Sequence, residues 1–152
     1  MRQAARITIG QAVADLKAEF PDVDIKESKI RHLENEGLVE PERTPSGYRK
    51  YSVEDMEKLR YIIRAQREHY LPLKVIREHL DALDRGLEPR HLRAFRTAAE
   101  REVGLVEQVV SPIRRSREDG AEGRAAQTMD EMAVLSIRLH AALVKSGLRS
   151  LR

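Results

Sequence analysis

The segment that most constrains this chain runs from Leu38 to Tyr51. It holds Pro41, the run Thr44-Pro45-Ser46-Gly47, and then Tyr48-Arg49-Lys50-Tyr51. Proline and glycine so placed cannot continue a helix. Short β-type stretches on either side of the Pro-Ser-Gly tip predict a hairpin. Two short amphipathic segments precede it. Thr8 followed by Gln11 has the pattern of a capping box, ahead of apolar Ile9, Val13 and Leu16. Phe20-Pro21-Asp22 makes a turn. A second helix, from about Lys26 or Ser28 to Glu36, carries Ile30 and Leu33 inward and stops at Gly37.

Downstream the pattern is helical. Ser52 to Asp55 repeats the capping pattern, with Asp in place of the usual Glu, and opens a helix with Met56, Leu59, Ile62 and Ile63 on one face. Tyr70-Leu71-Pro72 interrupts it. Pro72 suits the first turn of the next helix, which carries Leu73, Ile76, Leu80 and Leu83. After a break at Gly86 to Pro89, a helix from about Arg90 to Val110 carries Leu92, Phe95, Ala99, Val103, Val106 and Val110. Their three- and four-residue steps make a heptad-like seam about three heptads long. Pro112 is expected to kink or end that helix, and Arg117 to Gly123, with two glycines, reads as a loop. The final helix carries Met129, Met132, Leu135, Leu139, Ala142 and Leu143, and the tail from Arg149 to Arg152 is expected to fray.

Helix, helix, hairpin, helix, helix and a closing helical hairpin describe a mainly α chain. Two short helices followed by a β hairpin have the order of a winged helix-turn-helix. The expected division is a DNA-binding head over 7–85 and a helical dimerisation region over 90–148, the latter an antiparallel hairpin or coiled coil.

Composition narrows the chemistry. The chain has no cysteine, which excludes disulfides and thiolate metal sites. His32, His69, His79, His91 and His140 form no ligand pattern, so no metal or cofactor is expected. There is no glycine-rich phosphate loop and no nucleophile elbow, and the chain is not expected to be an enzyme. Met1 to Gly10 lacks the apolar core of an export signal, and no apolar run approaches the roughly 18 residues of a membrane span, so the expected location is cytoplasmic, and nucleoid-associated for a DNA-binding chain. The net charge of +3 says little by itself. Up to Arg85 there are 16 basic and 16 acidic residues, so a DNA-binding head must sort its charges in space.

The second helix carries Ser28, Lys29, Arg31 and His32 beside the buried Ile30 and Leu33. Such donors can reach base edges, and the helix start at Ser28 can meet a phosphate. The competing reading is a solvated charged face, to which Glu27, Glu34 and Glu36 belong. The hairpin favours DNA: Arg43, Ser46, Gly47, Tyr48, Arg49 and Lys50 surround a tight turn where cations meet the backbone and Tyr48 packs on sugar or donates to phosphate. Tyr51 is expected in the core.

Taken together, Thr8-Ile9-Gly10, Lys29-Ile30-Arg31-His32-Leu33-Glu34, Glu36-Gly37-Leu38-Val39, Pro41, Arg43, Gly47-Tyr48-Arg49, Tyr51 and Asp55, with Leu73, Ile76 and Leu80 beyond, resemble the MerR family of bacterial transcription regulators over about residues 7 to 84. Phe20-Pro21-Asp22, Thr44 to Arg49, His69 to Lys74 and the helices from Leu92 to Leu148 look like its actinobacterial cell-division regulator subgroup, FtsR-like. His32-Leu33 departs from the Tyr-Tyr common in the family. The break at Gly86 to Pro89 is shorter than the linker and module of longer subgroup members.

The resemblance implies a homodimer on a palindromic promoter site, with a coiled coil setting the distance between heads and distortion of the DNA between half-sites. Double-stranded DNA, a second copy of the chain and RNA polymerase at the promoter are the partners this reading carries. The dimer seam would use Leu92, Phe95, Ala99, Val103, Val106 and Val110 with Met132 and Leu139. Two other functions use the same elements: an architectural protein that coats DNA broadly, and a protein-interaction module built on the C-terminal helices.

Overall fold

The computed structural model describes residues 6–152. Part of the segment on which the export-signal argument rests therefore lies outside the described residues. The chain is mainly α-helical and divides into two compact units, one up to Leu87 and one from Glu88 on.

In the first unit, helix α1 spans Ile9–Glu19 and α2 spans Glu27–Asn35. Strands β1 (Glu42–Arg43) and β2 (Arg49–Lys50) pair antiparallel, Glu42 opposite Lys50 and Arg43 opposite Arg49. Helices α3 (Val53–His69) and α4 (Leu73–Asp84) follow. Thr8 accepts from the Gln11 N–H while Gln11 reaches back to the Thr8 N–H, and Ser52 and Asp55 repeat the arrangement at α3. Each box satisfies two otherwise orphaned donors, worth about 1 kcal/mol per cap. α2 begins at Lys26 with no side-chain cap, so its stability comes from burying Ile30 and Leu33.

The core of this unit is built from Ala12, Leu16, Ile25, Ile30, Leu33, Val39, Tyr51, Leu59, Ile62 and Ile76, all essentially inaccessible. Tyr51 is therefore a core residue, as its place after the hairpin predicts. The Phe20-Pro21-Asp22 turn is pinned from α3: Arg64 and Arg67 lie 5.9 and 6.0 Å from the centre of the Phe20 ring, and Arg67 reaches Asp22 at 2.7 Å. Arg60 holds Glu19 at 2.8 Å. These contacts fix the turn between α1 and α2 and thereby the direction of α2.

The second unit is a pair of long helices, α5 (Pro89–Arg115) and α6 (Ala121–Arg149). Arg114 meets Glu122 and the Met129 sulfur while His140 pairs with Glu102, so the helices run antiparallel. Two boundaries differ from expectation. Pro112 lies inside α5, which runs on to Arg115; so near the C-terminus, proline costs the helix only one of its last hydrogen bonds. The loop is also shorter than Arg117 to Gly123. Gly120, at φ +77°, takes the left-handed position before α6, whereas Gly123 is helical. Only glycine adopts that conformation without strain. No described helix is long and apolar enough to cross a membrane.

Candidate nucleic-acid interface

Burial of Ile30 and Leu33 decides which side of α2 faces outward. At about 100° per residue, the opposite side carries Ser28, Arg31, His32 and Asn35. All four are exposed. Asn35, seven residues beyond Ser28, completes the stripe and is the member that the sequence reading missed. Its amide can both donate to and accept from one base edge. Lys29 sits on the flank and is half-buried. Arg31 is engaged along the helix by Glu27 at 2.9 Å.

The hairpin tip is a tight turn. Thr44 C=O accepts from Gly47 N–H at 2.8 Å, Thr44 N–H donates to Tyr48 C=O at 2.9 Å, and Tyr48 N–H donates to Thr44 Oγ1 at 3.0 Å. Pro45 presets the first bend, and Gly47, at φ +86°, takes the left-handed position. Ser46 and Tyr48 are exposed, Tyr48 at 72 %. A phenol so far out of the core is available to a partner.

The two wing arginines are engaged within the protein. Glu34 lies on the flank of α2 that faces the hairpin. Its Oε1 accepts from Arg43 Nη2 at 3.0 Å and its Oε2 from Arg49 Nε at 2.5 Å. Arg43 also donates to the Gly47 carbonyl at 3.3 Å. The hydrogen bond to Glu34 is the main reason that the Arg49 guanidinium is held above its ordinary range. Arg49, 23 % exposed at the side chain, ties the wing to α2, and Arg43 is half exposed and retains an open side. Lys29, His32 and Lys50 have no ion pair among the described residues, Lys50 being half-buried.

In the second unit, α5 and α6 leave a groove of about 500 Å³ between them, lined mainly by Ala99, Val103, Val106, Val110, Met129 and Ile137. Leu92 and Val110 are buried within the chain, and Val106 and Met132 are half-buried. Phe95, Ala99, Val103 and Leu139 are exposed, as are Leu135 and Leu143.

Two helices packed at a short turn, the second with a polar outer face, and a hairpin tied against that second helix define a winged helix-turn-helix DNA-binding protein. The model for the MerR family regulatory protein matches residues 22–51, and that for the Rv1828-like C-terminal domain matches residues 44–152. Two curated relatives, the uncharacterized HTH-type transcriptional regulators Rv1828 of Mycobacterium tuberculosis and Mb1859 of Mycobacterium bovis, are each 32 % identical to this chain. Each alignment covers 95 % of this chain and 94 % of the relative. It extends over 235 positions against the 152 residues here, so those relatives contain segments without a counterpart in this chain. No solved structure matches. The chain belongs to the MerR family of HTH-type transcriptional regulators, with an Rv1828-like C-terminal domain.

Proposed function

We propose that this regulator acts as a homodimer on a two-fold symmetric promoter site, one head over each half-site. The head, residues 7–85, lays α2 into the major groove so that Ser28, Arg31, His32 and Asn35 meet base edges. Ser46, Gly47 and Tyr48 at the wing tip, with Lys50, meet the adjacent backbone. The observation that carries this reading is the stripe of four exposed polar side chains on the one face of α2 opposite Ile30 and Leu33. Two-fold protein symmetry matches palindromic DNA. Distorting the DNA between half-sites costs on the order of 1–6 kcal/mol, offset by added backbone contacts.

Residues 90–148 supply the dimer contact. From Thr128 through Met132, Leu135, Leu139, Ala142 and Ser146, α6 alternates steps of four and three, a seam distinct from the flank that lines the α5–α6 groove. Its apolar middle, Leu135, Leu139 and Ala142, is exposed in the single chain, and such an apolar patch calls for a partner. Selection of duplexes from random DNA, followed by footprinting, tests the reading. The expected outcome is two protected half-sites related by a dyad. Uniform coating without a preferred sequence would instead indicate an architectural protein.

A further inference from the structure

We propose that Glu34 is the positioning residue of the DNA interface, which fixes the wing to the recognition helix and withholds two arginines from indiscriminate phosphate binding. The inference rests on the reading of α2 and the wing as the DNA-contacting surface.

Glu34 is in the last turn of α2, the end at which the helix dipole disfavours a carboxylate, and Glu36 follows it closely. It is also only 16 % exposed at the side chain. Neither helix stability nor solvation accounts for a carboxylate there. The geometry of its partners does. Each oxygen takes a different arginine, one from β1 and one from β2, at cross-strand positions Arg43 and Arg49. One side chain therefore grips both strands of the hairpin. Arg43 continues the chain to the Gly47 carbonyl at the tip, so a connected path runs from α2 to the turn that carries Ser46 and Tyr48. A shift of α2 relative to the wing would break two charge-assisted hydrogen bonds at once. The same pairing lowers the positive charge that the wing offers to any duplex. Sequence-independent binding grows with the number of cations free to neutralise phosphates. Neutralising two of them favours the site over the bulk of the DNA.

The test uses the full chain, a duplex recovered by selection with the unmodified protein, and a random-sequence duplex of equal length. Glu34→Gln removes the charge at constant size. Binding to random DNA should strengthen, and its dependence on salt should steepen by up to about 1.8 in the log–log slope, the contribution of two further phosphate contacts. Preference for the selected duplex should fall roughly tenfold, the discrimination of about one base contact. Glu34→Asp keeps the charge but shortens the reach by one methylene, so that it cannot hold both arginines in place. Its preference should fall and its slope should steepen by no more than about 0.9, since one arginine stays paired. Glu57→Gln, at an exposed position on α3, makes the same change in net charge and should alter neither quantity.

An unchanged slope and preference in folded Glu34→Gln would overturn the proposal, as would an equal response from Glu57→Gln. If Glu34→Gln does not fold, Glu34→Asp decides: lost preference supports the positioning role, and retained preference defeats it. The parent reading fails separately, and takes this one with it, if selection with the unmodified protein recovers no preferred duplex.

Discussion

Ile7 and Tyr51 exchange two backbone hydrogen bonds, 3.0 Å from Ile7 N to Tyr51 O and 2.9 Å in return, so the segment entering α1 is stitched to the far end of the wing. Ile7→Pro would remove one donor and leave the carbonyl of fully buried Tyr51 without its partner. The expected cost is about 1–3 kcal/mol. Thermal melting should fall accordingly, and amides around Lys50 should exchange faster. Unchanged melting would show that this bridge contributes nothing to stability.

The Tyr51 side chain makes a second prediction, on pH. Burial and the nearby Glu34 carboxylate push its phenol up to about 12. The folded state therefore keeps the proton where the unfolded chain, near the ordinary value of about 10, gives it up. The associated stability is complete below pH 10 and is lost as pH rises toward 12. Full loss amounts to about 2–3 kcal/mol at 1.36 kcal/mol per unit. The hydroxyl has no hydrogen-bond partner among the described residues. Tyr51→Phe should accordingly be near neutral at pH 7, within about 1 kcal/mol, and should flatten the alkaline decline. Denaturant titrations of both proteins between pH 9 and 12 check this, and parallel curves would contradict it.

The outward face of α2 and the wing should respond differently to substitution. Asn35→Ala should change base preference at one position of each half-site by about 1–3 kcal/mol and leave the salt slope as it was. Lys50→Gln should weaken binding to all duplexes alike and reduce the slope by about 0.9. Binding measured across a salt series on selected and random DNA separates the two. If Asn35→Ala weakened binding to all duplexes alike without altering the preferred sequence, Asn35 would be a backbone contact, and that part of the stripe on α2 would not read bases.

Much of the head was legible from local signals. The capping boxes at Thr8 and Ser52, the turn at Phe20-Pro21-Asp22 and the hairpin around Gly47 each depend on residues a few positions apart. Glu34 was not legible in this way. Read along α2 it is one of two glutamates on a polar helix, with Glu36 just beyond, and its function depends on arginines nine and fifteen residues away on two strands. Periodicity carries no signal for such a pairing. Asn35 lies inside the helix expected to reach Glu36, but it stands seven residues beyond Ser28, outside the cluster of donors beside Ile30 and Leu33 that the sequence singles out. Pro112 left two outcomes open, a kink or an end, and a proline does not say how many residues a helix runs beyond it; here α5 continues to Arg115.

Assembly provides the last prediction. Val106 would be a poor probe of the dimer, since it is half-buried and lines the groove between α5 and α6 within one chain. A charge there would damage the hairpin itself. Phe95 and Leu139 are better placed, at 58 % and 56 % exposed, on α5 and α6 respectively. An aspartate at either would cost a single chain little, because each already faces solvent. In a dimer it would put an unpaired charge into an apolar seam, which costs several kcal/mol once the group is out of water. Light scattering at micromolar concentration should therefore give twice the chain mass for the unmodified protein. For Leu139→Asp it should give a monomer mass with helical content retained. Phe95→Asp reports whether α5 shares the seam: a monomer would place both helices in it, and a persistent dimer would leave the contact to α6. A monomeric mass for the unmodified protein would defeat the dimer. The regulator would then have to meet its DNA one head at a time, and footprints should show isolated half-sites.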